Sequence, residues 1–154
     1  MEVLVSRLRL SIDSNLADVS LVALAISSAC SYLGLDAVSV SQVELCIVEA
    51  VTNAIQHAYQ GQPGHVVSVV LSSEIGMLHV DVIDNGSPMS ARDVERLLQG
   101  SDVFEVHEID PASLSESGRG LQIIHDLMDE VAYISEDSFN RLQLTKRCPC
   151  SELC

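Results

Sequence analysis

Between Glu44 and His57 the chain reads Glu-Leu-Cys-Ile-Val-Glu-Ala-Val-Thr-Asn-Ala-Ile-Gln-His, a largely apolar run in which Glu49, Asn53 and His57 recur at every fourth position. An α-helix brings such positions onto one face, so these side chains form a polar stripe on a core-seeking helix. A helix of this kind must be covered by other structure, and a carboxylate, a carboxamide and an imidazole carried under cover each need a partner. The stripe is therefore a satisfied structural network or a ligand site, and the rest of the chain has to decide which.

Trp is absent and aromatic residues make up only 3% of the 154 residues, so the core has to be built from Val, Leu, Ile and Ala, which suits an α/β sandwich. The length fits one domain, expected over 1–147, with 148–154 a disordered tail carrying Cys148, Cys150 and Cys154. Acidic residues outnumber basic ones 22 to 8, a formal charge of −14. That balance argues against nucleic-acid binding, which rests on Lys and Arg, and it fits a basic protein partner or simply a soluble surface. Five cysteines without paired spacings point to free thiols in a reducing cytoplasm. Val19 to Cys30 is apolar and follows Arg7 and Arg9, but Asp13 and Asp18 intervene. A run of about a dozen residues is too short to cross a bilayer, so it reads as a buried helix, and no membrane association is expected.

Hydrophobic periodicity sets out the elements. Val3, Val5, Leu8 and Leu10 suggest an opening strand. Ser14 or Asn15 then caps a helix that runs to about Leu33 and is ended by Gly34. Ser39 or Ser41, with Glu44 after Ser41, has the look of a capping box for a second helix reaching about Tyr59. Val66–Leu71 and Leu78–Ile83 read as a hairpin across Ser72–Gly76. From Ser87 to Ser117 the chain is polar apart from a short helix between Ala91 and Gln99, a long excursion of the kind that forms lids. A third major helix is expected over Gly120–Asp129, followed by strands at Val131–Ile134 and Phe139–Leu144.

Two glycine-bearing segments flank the excursion. Asp84-Asn85-Gly86-Ser87-Pro88 follows a strand. There a carboxylate could accept from an exocyclic amine and a glycine could admit a flat ring, although Asp-Asn-Gly also makes a plain turn. Ser117-Gly118-Arg119-Gly120-Leu121 opens a helix, and its amides suit a phosphate chain.

In this order the pieces are no longer independent. The run Glu49-Ala50-Val51-Thr52-Asn53-Ala54-Ile55 with His57, then Asp84 to Gly86, a lid-like stretch, and Ser117 to Leu121 resembles the Bergerat-fold ATPases, the histidine kinase-like superfamily that includes gyrase. The likeness is closest to its small bacterial branch, the anti-sigma factor serine kinases, and it extends from about residue 5 to residue 146, including Met128-Asp129-Glu130-Val131. The resemblance implies a two-layer α/β sandwich with a mixed, mainly antiparallel sheet, three helices on one face and a mobile lid. It implies Mg²⁺ and ATP, with Asn53 as the metal ligand and Glu49 as general base or orienter for an attacking hydroxyl. Asp84 would read the adenine amino group beside Gly86, and Gly118, Arg119, Gly120 and Leu121 would wrap the phosphates. His57 would touch a phosphate or buttress its helix.

The chain departs from the superfamily at Pro88, where many members carry a second glycine, and its lid is acidic through Asp102, Glu105, Glu108, Asp110 and Glu116. Those carboxylates are expected to face solvent or a partner. Glu44 reads as part of a solvated helix face and His125 as a helix-packing residue. The implied activity is a cytoplasmic protein-serine kinase that phosphorylates a STAS-type antagonist and sequesters a sigma factor, as a homodimer. The alternatives are a nucleotide-dependent binding module without transfer, or a regulator of another target.

Overall fold

The computed structural model describes residues 6–100 and 116–148. Val3, Val5, the acidic lid positions from 102 to 110, Cys150 and Cys154 lie outside the described residues. Strand β1 (Arg7–Asp13) alternates Leu8, Leu10 and Ile12 toward the helices with Arg7, Arg9 and Ser11 on the other side. Asn15 caps a short 3₁₀ turn, its side chain accepting from the Ala17 amide at 3.0 Å, and helix α1 (Val19–Tyr32) follows. The end of α1 is set by Gly34 at φ +92°, as expected from the sequence. The amide of Leu35 reaches back to the Cys30 carbonyl at 3.1 Å and that of Gly34 to Ser31 at 3.1 Å, the paired bonds of a Schellman stop.

Helix α2 (Ala37–Asn53) starts earlier than the expected Ser41 capping box. Asp36 is the cap: its Oδ1 accepts from the amides of Val38 and Ser39, both at 3.0 Å, and its Oδ2 accepts from the Ser39 hydroxyl at 2.7 Å. These bonds hold the exposed Asp36 carboxyl below the usual carboxylate range, the Ser39 hydroxyl foremost. Ser41 lies inside the helix and donates back to the Ala37 carbonyl at 3.0 Å, a local bond that leaves no cap to make. At the far end α2 widens into a π-helical turn over Ala54–Ala58, closed by the Tyr59 amide on the Ala54 carbonyl at 3.1 Å.

The hairpin β2 (Val66–Glu74) and β3 (Met77–Asp84) is longer than the sequence suggests and turns at Gly76, φ +75°. Helix α3 (Ala91–Gln99) spans the expected residues, capped by the Ser90 hydroxyl on the Asp93 amide at 3.1 Å. Helix α4 (Glu116–Leu127) begins before the expected Gly120, and strands β4 (Glu130–Glu136) and β5 (Phe139–Arg147) close the fold.

The five strands lie in the order β1-β2-β3-β5-β4. All four pairings are antiparallel, so the mixed sheet reduces to an antiparallel one among the described residues. After β3 the chain passes through α3 and α4 to the outer edge, then returns as β5 beside β3. The register of that return sets Asn140 directly opposite Asp84. One sheet face carries polar pairs such as Gln143 Nε2 on Asp81 Oδ1 at 3.0 Å. The other meets the helices, with α2 packed between α1 and α4. Ala37–Ala58 is long and apolar enough to cross a membrane by length and composition. Here its Val43, Cys46, Ile47 and Val51 are buried in the core against the sheet and the neighbouring helices. Burying each large aliphatic side chain contributes about 1.5–3 kcal/mol.

Cys148, placed in the tail by the sequence, belongs to the fold. Its amide donates to the Gly76 carbonyl at 2.9 Å and its buried thiol lies 3.7 Å from the Leu33 carbonyl. Burial pushes the thiols of Cys30 and Cys46 up to about 12, so both are inert. The capping geometry predicts that Asp36→Ala lowers the thermal melting midpoint whereas Ser41→Ala leaves it unchanged, measured by circular dichroism.

Candidate nucleotide site

The carboxyl half of α2, the end of β3 and the first turns of α4 converge on a cavity of about 180 Å³. Asn53 and His57 from the α2 side, Asp84 from β3 and Leu121 from α4 line it. Tyr133, Met89 and Asp93 are among the other residues that line it, and none of these three was singled out from the sequence. It is smaller than the roughly 300–1,000 Å³ that encloses a drug-sized ligand, so it suits one end of an extended molecule.

The polar stripe of α2 divides in role. Asn53 is 8% exposed and its Nδ2 makes no hydrogen bond among the described residues. An unpartnered buried amide of this kind costs about 1–3 kcal/mol, which a polar ligand in the cavity would offset. Glu49, one turn earlier, is half-buried and does not line the cavity; its carboxylate lies against α4. A Cβ on Gly120 would stand 2.4 Å from Glu49 Oε2 and 3.6 Å from Asn53 Nδ2. Gly120 is thus the vacancy that lets α2 and α4 meet at these side chains. His57 is exposed at the cavity wall.

The second glycine segment is not a loop. Gly118, Arg119 and Gly120 lie within the opening turns of α4, with Arg119 exposed and both glycines buried. The positive end of the helix dipole favours an anion near these turns. Gly120 serves close packing rather than a left-handed backbone.

Asp84 is 8% exposed, and its Oδ1 accepts from the Gly86 amide at 2.9 Å and from Asn140 Nδ2 at 2.8 Å. Burial pushes the carboxyl above its usual range, opposed by the bonds from Asn140 and Gly86. Packing requires Gly86: a Cβ there would meet the Ala58 carbonyl oxygen at 2.4 Å and carbon at 2.5 Å. The Ser87 amide donates to that same Ala58 carbonyl at 2.9 Å, so the π turn and the strand end are bonded directly. Asn85 joins the clamp, its amide donating to the Tyr59 hydroxyl at 2.8 Å while that hydroxyl donates to the Val66 carbonyl at 2.7 Å. Past Pro88, the Met89 amide donates to the Tyr133 hydroxyl at 2.9 Å, which holds the start of the excursion against β4. His125 packs between helices, Nδ1 3.0 Å from the Leu97 carbonyl. Asn140 and Tyr133 interrupt the apolar alternation of β5 and β4 on the core-facing side, the one signal in the sequence that could have marked them.

These residues fit a magnesium-bound nucleotide. Asn53 carries an amide oxygen of the hard type that Mg²⁺ takes and an unpartnered Nδ2 that would donate to a phosphate oxygen, the positive end of the α4 dipole favours phosphates, and Asp84 offers an acceptor for an amine.

Two outcomes follow from this packing. Gly86→Ala, whose Cβ meets immovable backbone, destabilises by about 1–3 kcal/mol in chemical denaturation, and Gly120→Ala, which meets only the end of a side chain, costs less. For Asp84 the folded-state pKa lies above the unfolded one, so ionising it opposes folding as pH rises through the pair of values. Asp84→Asn should therefore melt above the wild type at neutral pH, with the difference vanishing in acid where the carboxyl is neutral in both states.

Residues 12–146 match the Histidine kinase-like ATPase domain family. The chain is 38% identical over 96 residues to a protein named Anti-sigma F factor from Halalkalibacterium halodurans, covering 62% of this chain and 60% of that protein's length. It is 31% identical over 128 residues to Serine-protein kinase RsbW from Bacillus licheniformis, covering 83% of this chain and 77% of the other. Among solved structures, the RsbU and RsbW domains of a Mycobacterium tuberculosis protein superpose with a TM-score of 0.59 at 19% identity, over 92% of this chain and 32% of that one. The SiaB–SiaC complex from Pseudomonas aeruginosa gives 0.58 at 17% identity, over 88% of each chain. Both share the fold of an antiparallel sheet under a helix layer. By the extent of the family match and by its relatives, the chain belongs to the histidine kinase-like ATPase domain family.

Proposed function

We propose that this protein is an ATP-dependent protein-serine kinase of the anti-sigma type, which phosphorylates a STAS-type antagonist and otherwise sequesters a sigma factor in the cytoplasm. The observation that carries the reading is the placement of Glu49: a carboxylate held against the start of α4, one helical turn from the unpartnered amide of Asn53. The names carried by its relatives, Anti-sigma F factor and Serine-protein kinase RsbW, support the same activity.

In this reading Asn53 binds Mg²⁺ through its amide oxygen, and the first turn of α4 with Arg119 holds the phosphates. Asp84 accepts from the adenine amino group, and His57 lies at the wall where a phosphate or its own helix can use it. Magnesium-bound ATP supplies the transferable phosphoryl group and offsets its charge. Glu49 accepts the proton of the attacking serine hydroxyl as the new O–P bond forms and the bond to the leaving ADP breaks. Because such transfer depends chiefly on positioning and electrostatics, a carboxylate of ordinary basicity suffices.

The acidic surface fits a basic region of a sigma factor rather than nucleic acid. Phosphorylating one of two competing ligands on a shared surface changes its affinity and exchanges the partners. A homodimer is part of the proposal.

Glu49→Gln keeps the size of the side chain and removes the base. It should bind Mg-ATP within about threefold of the wild type and lose labelled-phosphate transfer to a serine-bearing STAS partner by about 10²-fold or more. Equal transfer by the variant contradicts the role of Glu49. Tight ATP binding by the wild type with no phosphoserine on the partner favours a binding module that does not transfer.

A further inference from the structure

Asn140 is the most buried polar side chain of the site, 3% exposed, and the reaction described above gives it no part. It opens β5 on the face that next carries Leu142 and Leu144, where an amide costs free energy unless its bonds are made. They are all made. Nδ2 donates to Asp84 Oδ1 at 2.8 Å and to the Gly86 carbonyl at 3.0 Å, and Oδ1 accepts from the Ser135 hydroxyl at 2.8 Å. Turned over, the amide would set its oxygen against a carboxylate and a carbonyl, neither able to donate, so the partners fix its orientation.

The consequence falls on Asp84. Its Oδ1 holds two donors, the Asn140 amide and the Gly86 N–H, which stops the carboxylate from turning. Oδ2 makes no hydrogen bond among the described residues, and Asp84 lines the cavity. We propose that Asn140 is a positioning residue for base selection: by clamping one oxygen of Asp84 it presents the other as a bare acceptor, so the cavity takes a 6-amino purine and rejects a 6-oxo purine. This rests on reading the cavity as a nucleotide site.

The chemistry is that of a one-sided test. A clamped, ionised carboxylate attracts an amine and repels a carbonyl, which has only lone pairs to offer. Without Asn140 the carboxyl can rotate and loses a bond that favours its charged form. A carboxylate free to rotate no longer holds its unshared oxygen at one place, so it gains less from the amine edge. A purely structural Asn140 would behave differently, weakening every nucleotide in parallel.

Titration calorimetry with ATP, GTP and purine riboside triphosphate, which is ATP without its 6-amino group, separates these roles on the wild type, Asn140→Leu and Ser135→Ala. The wild type is expected to prefer ATP over both others by about tenfold or more, the scale of one hydrogen bond to a charged group. Asn140→Leu brings the three affinities within about threefold of one another while purine riboside triphosphate still binds as before, which also reports an intact fold. Ser135→Ala removes the outer support of the amide from an exposed position and narrows the ATP preference in the same direction. Parallel weakening of all three nucleotides by Asn140→Leu, or an unchanged preference, overturns the proposal. Should Asn140→Leu fail to fold, an unchanged preference in Ser135→Ala does so. A wild type that binds none of the three refutes the nucleotide reading itself, a result distinct from retained discrimination.

Discussion

The site depends on one close approach of backbone to backbone. Gly86 lies so near Ala58 that no side chain fits between them, and the Ser87 amide donates to the Ala58 carbonyl at 2.9 Å. That contact locks the end of β3 to the end of α2, and so holds Asn53 and Asp84 in one cavity although they come from different layers. The π-helical turn over Ala54–Ala58 is part of the same device. The wider turn leaves the Ala58 carbonyl available to the strand end, and such turns recur at functional sites. The Tyr59 hydroxyl, bonded to both Asn85 and Val66, ties the turn to two strands at once.

The second close approach, of Gly120 to Glu49, does for the contact of α2 with α4 what Gly86 does for the contact of α2 with β3. It brings a carboxylate and the amino-terminal turns of α4 together, two groups that attract one another through the helix dipole. The arrangement stores an uncompensated amide at Asn53 and a carboxyl raised by burial at Asp84. Both oppose folding and both favour a ligand, as expected where a site is maintained at the expense of stability. The aliphatic core under α2, with Ile47 and Val51 fully buried, carries that cost.

Much of this was legible in the chain because it is local. Gly34 as a helix stop, α3 over Ala91–Gln99 and the hairpin around Gly76 follow from periodicity and turn chemistry within a few residues. The ordered motifs at Glu49–His57, Asp84–Gly86 and Gly118–Leu121 pointed to residues that the fold gathers around one cavity or its margin. What was illegible depends on partners far along the chain. The cap of α2 fell to Asp36 because the Schellman stop at Gly34 had already ended α1, which made Asp36 the first free acceptor. The reason for Gly86 is Ala58, 28 residues away, and the reason for Asn140 is Asp84, 56 residues away. No pattern within β5 alone says what a buried asparagine bonds to.

If α2, β3 and α4 form a single nucleotide pocket, a crystal structure of the protein with Mg²⁺ and a non-hydrolysable ATP analogue will show the adenine amino group on the Asp84 carboxylate, the metal on the Asn53 amide oxygen and the phosphates at the amino-terminal turns of α4. A nucleotide bound elsewhere, a base turned away from Asp84, or an empty cavity at saturating analogue would contradict it.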